Sequence, residues 1–396
     1  MKKFQADYIF PISSAPIKNG ILICEDDGTI LEIINPLNTK NTFEDVEKFE
    51  GILCPGFVNA HCHLELSHLR GKISEKKGMA NFISELLQKR FKISEDEQQH
   101  FFENAEKEML QNGIVAVGDI SNLASTLPIK QKGKLYYHTF VEVLGLDPAL
   151  AETKLEEGKI LQAQFKNVPS GNASIAPHAP YTVSIELLKL INKYASENNL
   201  PVCIHLQESN AEIEFCMNHS GDFAELFTNL KFNFSFSHPN GFKPIQQVLA
   251  HLKTKNNIAL VHNTYTTREE IKWTNESYEN LFWCLCPNAN LYIENRLPAI
   301  MDFAEENATL IIGTDSLASN HQLSVVEELK TINFGFPQIN LNSLLTWSTF
   351  NGAKFLGIEN LFGSLEKGKK PGIVLLENLD LENLKLNKNA SVNRIL

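Results

Sequence analysis

From residue 56 onward the chain alternates short apolar runs of strand length with longer stretches of helical periodicity, and it does so eight times. The strand-like runs are Gly56–Ala60, Ile114–Ile120, Leu135–Val143, Ala173–Ala176, Pro201–Leu206, Asn257–Val261, Leu281–Cys286 and Thr309–Ile312. Helical patterns fall at Gly78–Phe91, Ser94–Gln111, Ala149–Phe165, Ser184–Asn198, Ala211–Asn218, Pro244–Leu252, Leu297–Glu306, His321–Phe334 and Leu341–Thr349. Ser94, with Glu97 three residues on, has the form of a capping box. Strands separated by helices imply a parallel sheet, because a parallel pair needs a crossover connection. Eight such units imply an α/β chain closed into a (β/α)8 barrel of the TIM type.

The 396 residues exceed the ~250 of a typical barrel, and the surplus lies at both ends. Ala6–Phe10, Gly20–Cys24 and Thr29–Ile34 are short strand-like runs separated by turns such as Asp26-Asp27-Gly28. A similar run, Gly372–Leu376, follows the turn-rich Gly363–Gly368. The expected organisation is therefore a small β-sandwich built from both termini, residues 1–54 and 362–396, around a barrel of residues 55–361.

A barrel of this kind carries its chemistry where strands end and βα loops begin, so the polar residues at those positions matter most. The first strand delivers His61 and His63, which lie two residues apart on one face and about 7 Å from each other. The fifth ends in His205, with Glu208 three residues on; the sixth ends in His262; the eighth runs into Asp315. A lone histidine after a strand is more often a satisfied core residue, but four such positions on one rim make coincidence a poor account. Imidazoles and a carboxylate suit a divalent metal, zinc first with iron or manganese as alternatives, and leave a position for water whose pKa falls toward about 7. Asp315 is placed to ligate and to take the proton of that water, Glu208 to carry it to a leaving nitrogen, and His262 either to ligate or to orient the nucleophile.

The formal charge of −11, from 36 basic and 47 acidic residues, argues against binding nucleic acid or an anionic membrane. No apolar run reaches the length of a membrane span and no secretory signal core follows Met1. Seven cysteines without a C-x-x-C pair read as reduced core thiols of a cytoplasmic protein. No motif encodes an oligomeric state, although a homodimer suits a barrel of this size.

His61-x-His63, His205-x-x-Glu208, His262 and Gly313-Thr314-Asp315-Ser316 together resemble the amidohydrolase superfamily, specifically its aminohydrolase branch. The resemblance runs over essentially the whole chain. It implies one catalytic metal held by His61, His63, His205 and Asp315, with His262 touching the water and the substrate. Binuclear members carry a lysine at the end of the fourth strand, whereas here Ala176-Pro177-His178 ends in histidine, which favours one metal. The implied activity is deamination of an aromatic amino-heterocycle with release of ammonia.

The stretches Ala176–Ser184 and His61–Ser67 are similar to those of methylthioadenosine, S-adenosylhomocysteine and aminodeoxyfutalosine deaminases, which puts an adenine-type nucleoside first and aminodeoxyfutalosine foremost. Guanine or pterin deamination and triazine dechlorination share the same rim, and a metal-binding protein without turnover would also keep the ligands. The resemblance points to His178, Glu65 and Ser316 as substrate-binding candidates, Glu65 being equally suited to support a metal histidine. Ala289 stands where relatives usually have serine. Arg70 and Arg296 match no one deaminase's ribose- or carboxylate-binding arginines. His138 and Glu142 on the third strand suit the pocket or the core equally, and His238 reads as structural.

Overall fold

A computed structural model describes residues 1–38, 43–233, 241–253 and 255–396. Eight parallel strands form the centre: β1 (Phe57–Cys62), β2 (Ile114–Ser121), β3 (Tyr136–Val143), β4 (Gly171–Pro177), β5 (Val202–Leu206), β6 (Ile258–His262), β7 (Leu281–Leu285) and β8 (Leu310–Ile312). β1 to β4 pair in order, as do β5 to β8. Two seams join these halves. At one, the His205 amide donates to the His178 carbonyl at 2.9 Å; at the other, the Thr314 and Asp315 amides both donate to the His61 carbonyl at 3.0 Å. The eight strands therefore close as a barrel, at the positions anticipated to within a few residues.

The β1–β8 seam is the more heavily built. Asn59 Nδ2 donates to Thr314 Oγ1 at 2.7 Å, while the Thr314 amide donates back to Asn59 Oδ1 at 3.0 Å. Gly313 is needed here, since a Cβ at that position would lie 2.7 Å from the His61 Cβ and 2.9 Å from its carbonyl oxygen. Any side chain would push β8 away from the histidines it must approach.

The terminal segments meet in one seven-stranded sheet whose path runs Ser391–Arg394, Ile373–Glu377, Glu47–Pro55, Lys2–Ile9, Ile21–Cys24, Ile30–Ile34, with Ile17–Lys18 paired to Lys2–Ile9. Side chains alternate faces along each strand. Leu53, Ile373 and Leu375 accordingly join Phe4, Leu22 and Ile30 in the sheet's own core, whereas Ile52, Cys54, Val374 and Leu376 pack into the barrel's. Both ends of the chain thus build one β module seated on the barrel.

Ser94 caps the helix Glu95–Gln111 in the expected capping box. Helices at Asp222–Asn229, Arg268–Ser277, Pro287–Glu294 and Phe350–Leu356 were not anticipated. Arg268–Ser277 carries a legible signal, a Thr267 cap with Glu270 closing the box; the others are short and apolar, where strand and helix patterns look alike. The pattern at His321–Phe334 becomes helix only from Val325. Residues 234–240, including His238, lie outside the described segments. All seven cysteines are buried and free, and no helix of the described residues is long and apolar enough to cross a membrane.

Candidate active site and metal centre

The strand ends bring His61, His63, His205, His262, Asp315 and Glu208 to one point. His63 Nε2 lies 3.1 Å from His61 Nε2 and 3.3 Å from His205 Nε2. Asp315 Oδ1 stands 3.3 Å from His63 Nε2 and 3.6 Å from His61 Nε2. Ligand atoms of His61, His63 and Asp315 fall within 4.8 Å of one another, and so do those of His61, His205 and His262.

Convergence of lone-pair atoms is unfavourable without something positive between them. Burial drives the His63 and His262 imidazoles down to about 4 and His205 well below the usual range, so these rings are neutral at physiological pH. His205 donates its Nδ1–H to the His178 carbonyl at 3.0 Å, which leaves Nε2 as a lone pair facing the cluster. A neutral imidazole with its outer N–H fixed by a carbonyl is the form in which histidine ligates a metal. Burial opposes ionisation of Asp315, but the facing imidazoles of His61, His63 and His262 hold its carboxyl well below the usual carboxylate range. The donor set, imidazole nitrogens and one carboxylate, fits a divalent cation.

The backbone is bent to make this arrangement. His262 sits at φ +77° and Asp315 at φ +55°, a region non-glycine residues seldom occupy. Supporting residues hold both. Ser319 Oγ donates to Asp315 Oδ2, and Ser316 and Ser319 face each other at 2.9 Å. Of the residues after the aspartate, Ser319 is thus the one on the carboxylate, and Ser316 reaches it only through Ser319. Asn290 Oδ1 lies 3.0 Å from His262 Nδ1. The Gln207 and Glu208 amides both donate to Glu212, at 2.7 and 2.9 Å, which fixes the turn carrying Glu208. Asp119, buried against Lys130 at 2.6 Å, accepts the Leu64 amide at 2.8 Å and so pins the residue after His63. None of Asn290, Glu212 and Asp119 stands out in the sequence, because each acts on a partner distant in the chain or on a backbone amide.

Glu208 Oε1 lies 3.4 Å from His262 Nε2. Burial, then the charges of Asp315, Glu212 and Glu294, raise the Glu208 carboxyl well above the usual range, which favours its protonated form. A protonated carboxyl beside a lone-pair nitrogen is a poised proton donor.

The remaining candidates are placed as follows. His178 bonds Thr182 Oγ1 through Nδ1 at 2.7 Å and, with His63 and Glu142, lines a cleft of about 660 Å3. Glu142 takes Asn122 Nδ2 on one oxygen at 2.9 Å and has the other 3.5 Å from His205 Nδ1. Glu65 is held by Arg90 and by the amides of Asn122 and Leu123, at 3.0 and 3.3 Å. Arg70 pairs with Glu108 and Arg296 stacks on Tyr265, whereas Arg90 is the arginine lining the cleft. His138 bonds Ser174 Oγ at 3.0 Å within the barrel interior.

The family model for the amidohydrolase family matches residues 52–395. This chain belongs to the amidohydrolase family. An adenosine deaminase of Helicobacter pylori is 26% identical over 350 residues, 87% of this chain and 84% of that protein. A 5-methylthioadenosine/S-adenosylhomocysteine deaminase of Teredinibacter turnerae is 26% identical over 345 residues, 84% of this chain and 73% of that protein. Among solved structures, Helicobacter pylori aminofutalosine deaminase in complex with methylthio-coformycin superposes with a TM-score of 0.82 at 22% identity, covering 98% of this chain and 94% of that one. The barrel read from the alternation of strands and helices and the family read from the strand-end motifs are both borne out.

Proposed function

We propose that this amidohydrolase is a metal-dependent aminohydrolase acting on an adenine-type ring, with nucleosides such as aminodeoxyfutalosine and methylthioadenosine as the leading substrates. The relatives named above are adenosine-type deaminases, which supports the ring class. The observation that carries the chemistry is the Glu208–His262 pair, 3.4 Å apart, beside the convergent histidine nitrogens.

His61, His63, His205 and Asp315 would hold one divalent cation, zinc first. Such an ion supplies Lewis acidity that makes water nucleophilic near neutral pH. Water oxygen bonds to the amino-bearing ring carbon as the ring C=N π pair moves onto the adjacent ring nitrogen, and Asp315 accepts the proton that oxygen gives up. His262, with Nε2 turned inward, positions the oxygen. Glu208 donates its proton to the exocyclic nitrogen, the exocyclic carbon–nitrogen bond breaks as the ring C=N re-forms, ammonia leaves, and the proton held by Asp315 returns to Glu208. His178 faces the ring from the end of β4. A metal-binding protein without turnover would have no use for a buried carboxyl held beside His262.

The test is ammonia release by metal-analysed protein over aminodeoxyfutalosine, methylthioadenosine, S-adenosylhomocysteine, adenosine, guanine, cytosine, pterins and triazines. An adenine-type responder with about one equivalent of metal supports the reading. Silence of every adenine compound with metal present refutes it.

A further inference from the structure

Glu328, on the helix Val325–Gly335, is a fully buried carboxyl that takes no part in the chemistry above. Among the described residues its oxygens meet asparagine N–H groups and no cation. Oε2 accepts the Asn288 amide at 2.9 Å, and Oε1 accepts Asn288 Nδ2 at 3.0 Å and Asn320 Nδ2 at 2.8 Å. Burial pushes this carboxyl up to about 8, against the opposing bonds from Asn288 and Asn320. Burying a carboxylate away from any cation is costly, so what its donors hold in place matters. Both donors lead to the metal centre. Asn320 Nδ2 also donates to the Thr314 carbonyl at 2.9 Å, while the Asp315 amide of the same peptide unit donates to the His61 carbonyl at 3.0 Å. That planar unit is fixed at both edges, which holds Asp315 at its φ of +55°. Asn288 stands in the first turn of the helix Pro287–Glu294, where Cys286 offers no side-chain cap and Glu328 takes the orphan amide instead. The same helix carries Asn290, whose Oδ1 lies 3.0 Å from His262 Nδ1.

We propose that Glu328 is a positioning residue that holds the loops after β7 and β8 in register, so that one carboxylate aims both Asp315 and His262. The inference rests on the metal-centre reading above and extends it to a residue that touches neither ion nor substrate. Its two arms do different things. Through Asn320, Glu328 fixes the peptide plane before Asp315 and so the reach of that carboxylate toward the cation. Through Asn288 it fixes the helix whose Asn290 orients His262. Glu328→Gln leaves one acceptor oxygen and introduces an NH2, which confronts an N–H donor whichever way it turns. Both arms then slacken together.

The experiment uses the full chain with zinc as the probe. Zinc affinity is read by competition with a chromophoric chelator, and the His262 tautomer by isotope-edited NMR of histidine-labelled protein. Glu328→Gln should weaken zinc binding by about 10–100-fold and turn the single His262 tautomer into a mixture. Asn320→Ala should weaken zinc by about fivefold, the scale of one hydrogen bond, and leave the tautomer alone. Asn288→Ala, which removes one of the two bonds of its arm, should admit the second tautomer and leave zinc affinity unchanged. If Glu328→Gln does not fold, this pair decides: both signatures together uphold the proposal, and the absence of either overturns it. A folded Glu328→Gln with a lowered Tm but wild-type zinc affinity or a wild-type tautomer also overturns it, since packing alone would then account for the residue. Silence toward every adenine compound would sink the deaminase reading and not this one, because neither readout needs a substrate. A wild-type chain that takes up no zinc overturns both.

Discussion

His262 Nδ1 donates to Asn290 Oδ1 at 3.0 Å, which turns the Nε2 lone pair toward Glu208 Oε1 at 3.4 Å. Asn290 Nδ2 faces the His262 carbonyl at 3.5 Å, so the amide is oriented from both ends. One asparagine therefore sets the tautomer of the histidine that faces Glu208. Asn290→Ala should lower kcat by about 5–150-fold, the scale of one unsatisfied buried N–H, with metal content unchanged. An unaltered kcat would show that the tautomer is set elsewhere.

Glu208→Gln removes the proton and keeps the shape. Ammonia release should fall by about 10²–10⁴-fold, with metal retained at wild-type stoichiometry. The pH dependence has a definite sign. Glu208 is a carboxyl whose pKa is raised in the folded protein, so its proton is present below that pKa and lost above it. Wild-type kcat/KM should therefore decline on the basic side, with the midpoint above the normal carboxylate range. Any residual turnover of the glutamine variant should lack that limb. A variant profile that superimposes on the wild type would remove Glu208 from the proton path.

Ser319→Ala deletes the hydroxyl on Asp315 Oδ2 without touching a ligand. Outer partners of ligands typically account for about 10–100-fold in metal affinity. Competition against a chromophoric chelator should show that loss, and Ser319→Thr should recover part of it. Equal affinity in the alanine variant would assign Ser319 to loop structure alone.

Lys130 and Asp119 form a fully buried pair, and Asp119 also accepts the amide of Leu64, next to His63. Lys130→Met strands Asp119 as a lone buried charge, at a cost of about 3–5 kcal/mol in unfolding free energy. Adding Asp119→Asn removes the charge while keeping an acceptor for the Leu64 amide, so the double variant should regain much of the loss in denaturant titration. A double variant no more stable than the single one would contradict the stranded-charge account.

Metal removal should also be visible in stability. A cation binding only the folded chain at 100 times its Kd contributes about 2.7 kcal/mol. Chelation should lower the Tm, and zinc should restore it. A Tm indifferent to both would mean that the histidine cluster does not take the ion.

The sequence made the strand-end cluster legible because barrel geometry converts a position in the chain into a position in space. A histidine or aspartate at the C-terminal end of any strand arrives at the same rim, so His61, His205, His262 and Asp315 could be gathered before any distance was known. No such rule covers the residues that orient them. Asn290 reaches His262 from a short helix after β7, and Asp119 acts on a backbone amide rather than on a side chain. Glu65 shows the converse: its place beside the histidines suits substrate or the support of a metal histidine equally, and the partners it has, Arg90 and two amides, were not legible. Arg90 lies in a helical C-terminus with nothing in its local pattern to set it apart from any surface arginine.

The reciprocal bonds between Asn59 and Thr314 join positions 255 apart in the chain. During synthesis at about 5–20 residues per second, His61 and His63 emerge well before the aspartate that completes their cluster. Until the eighth strand docks, the early histidines have no carboxylate across the seam and no rigid spacing. A half-made chain is thus a poor trap for stray cations, and loading becomes a late step that coincides with closure of the barrel.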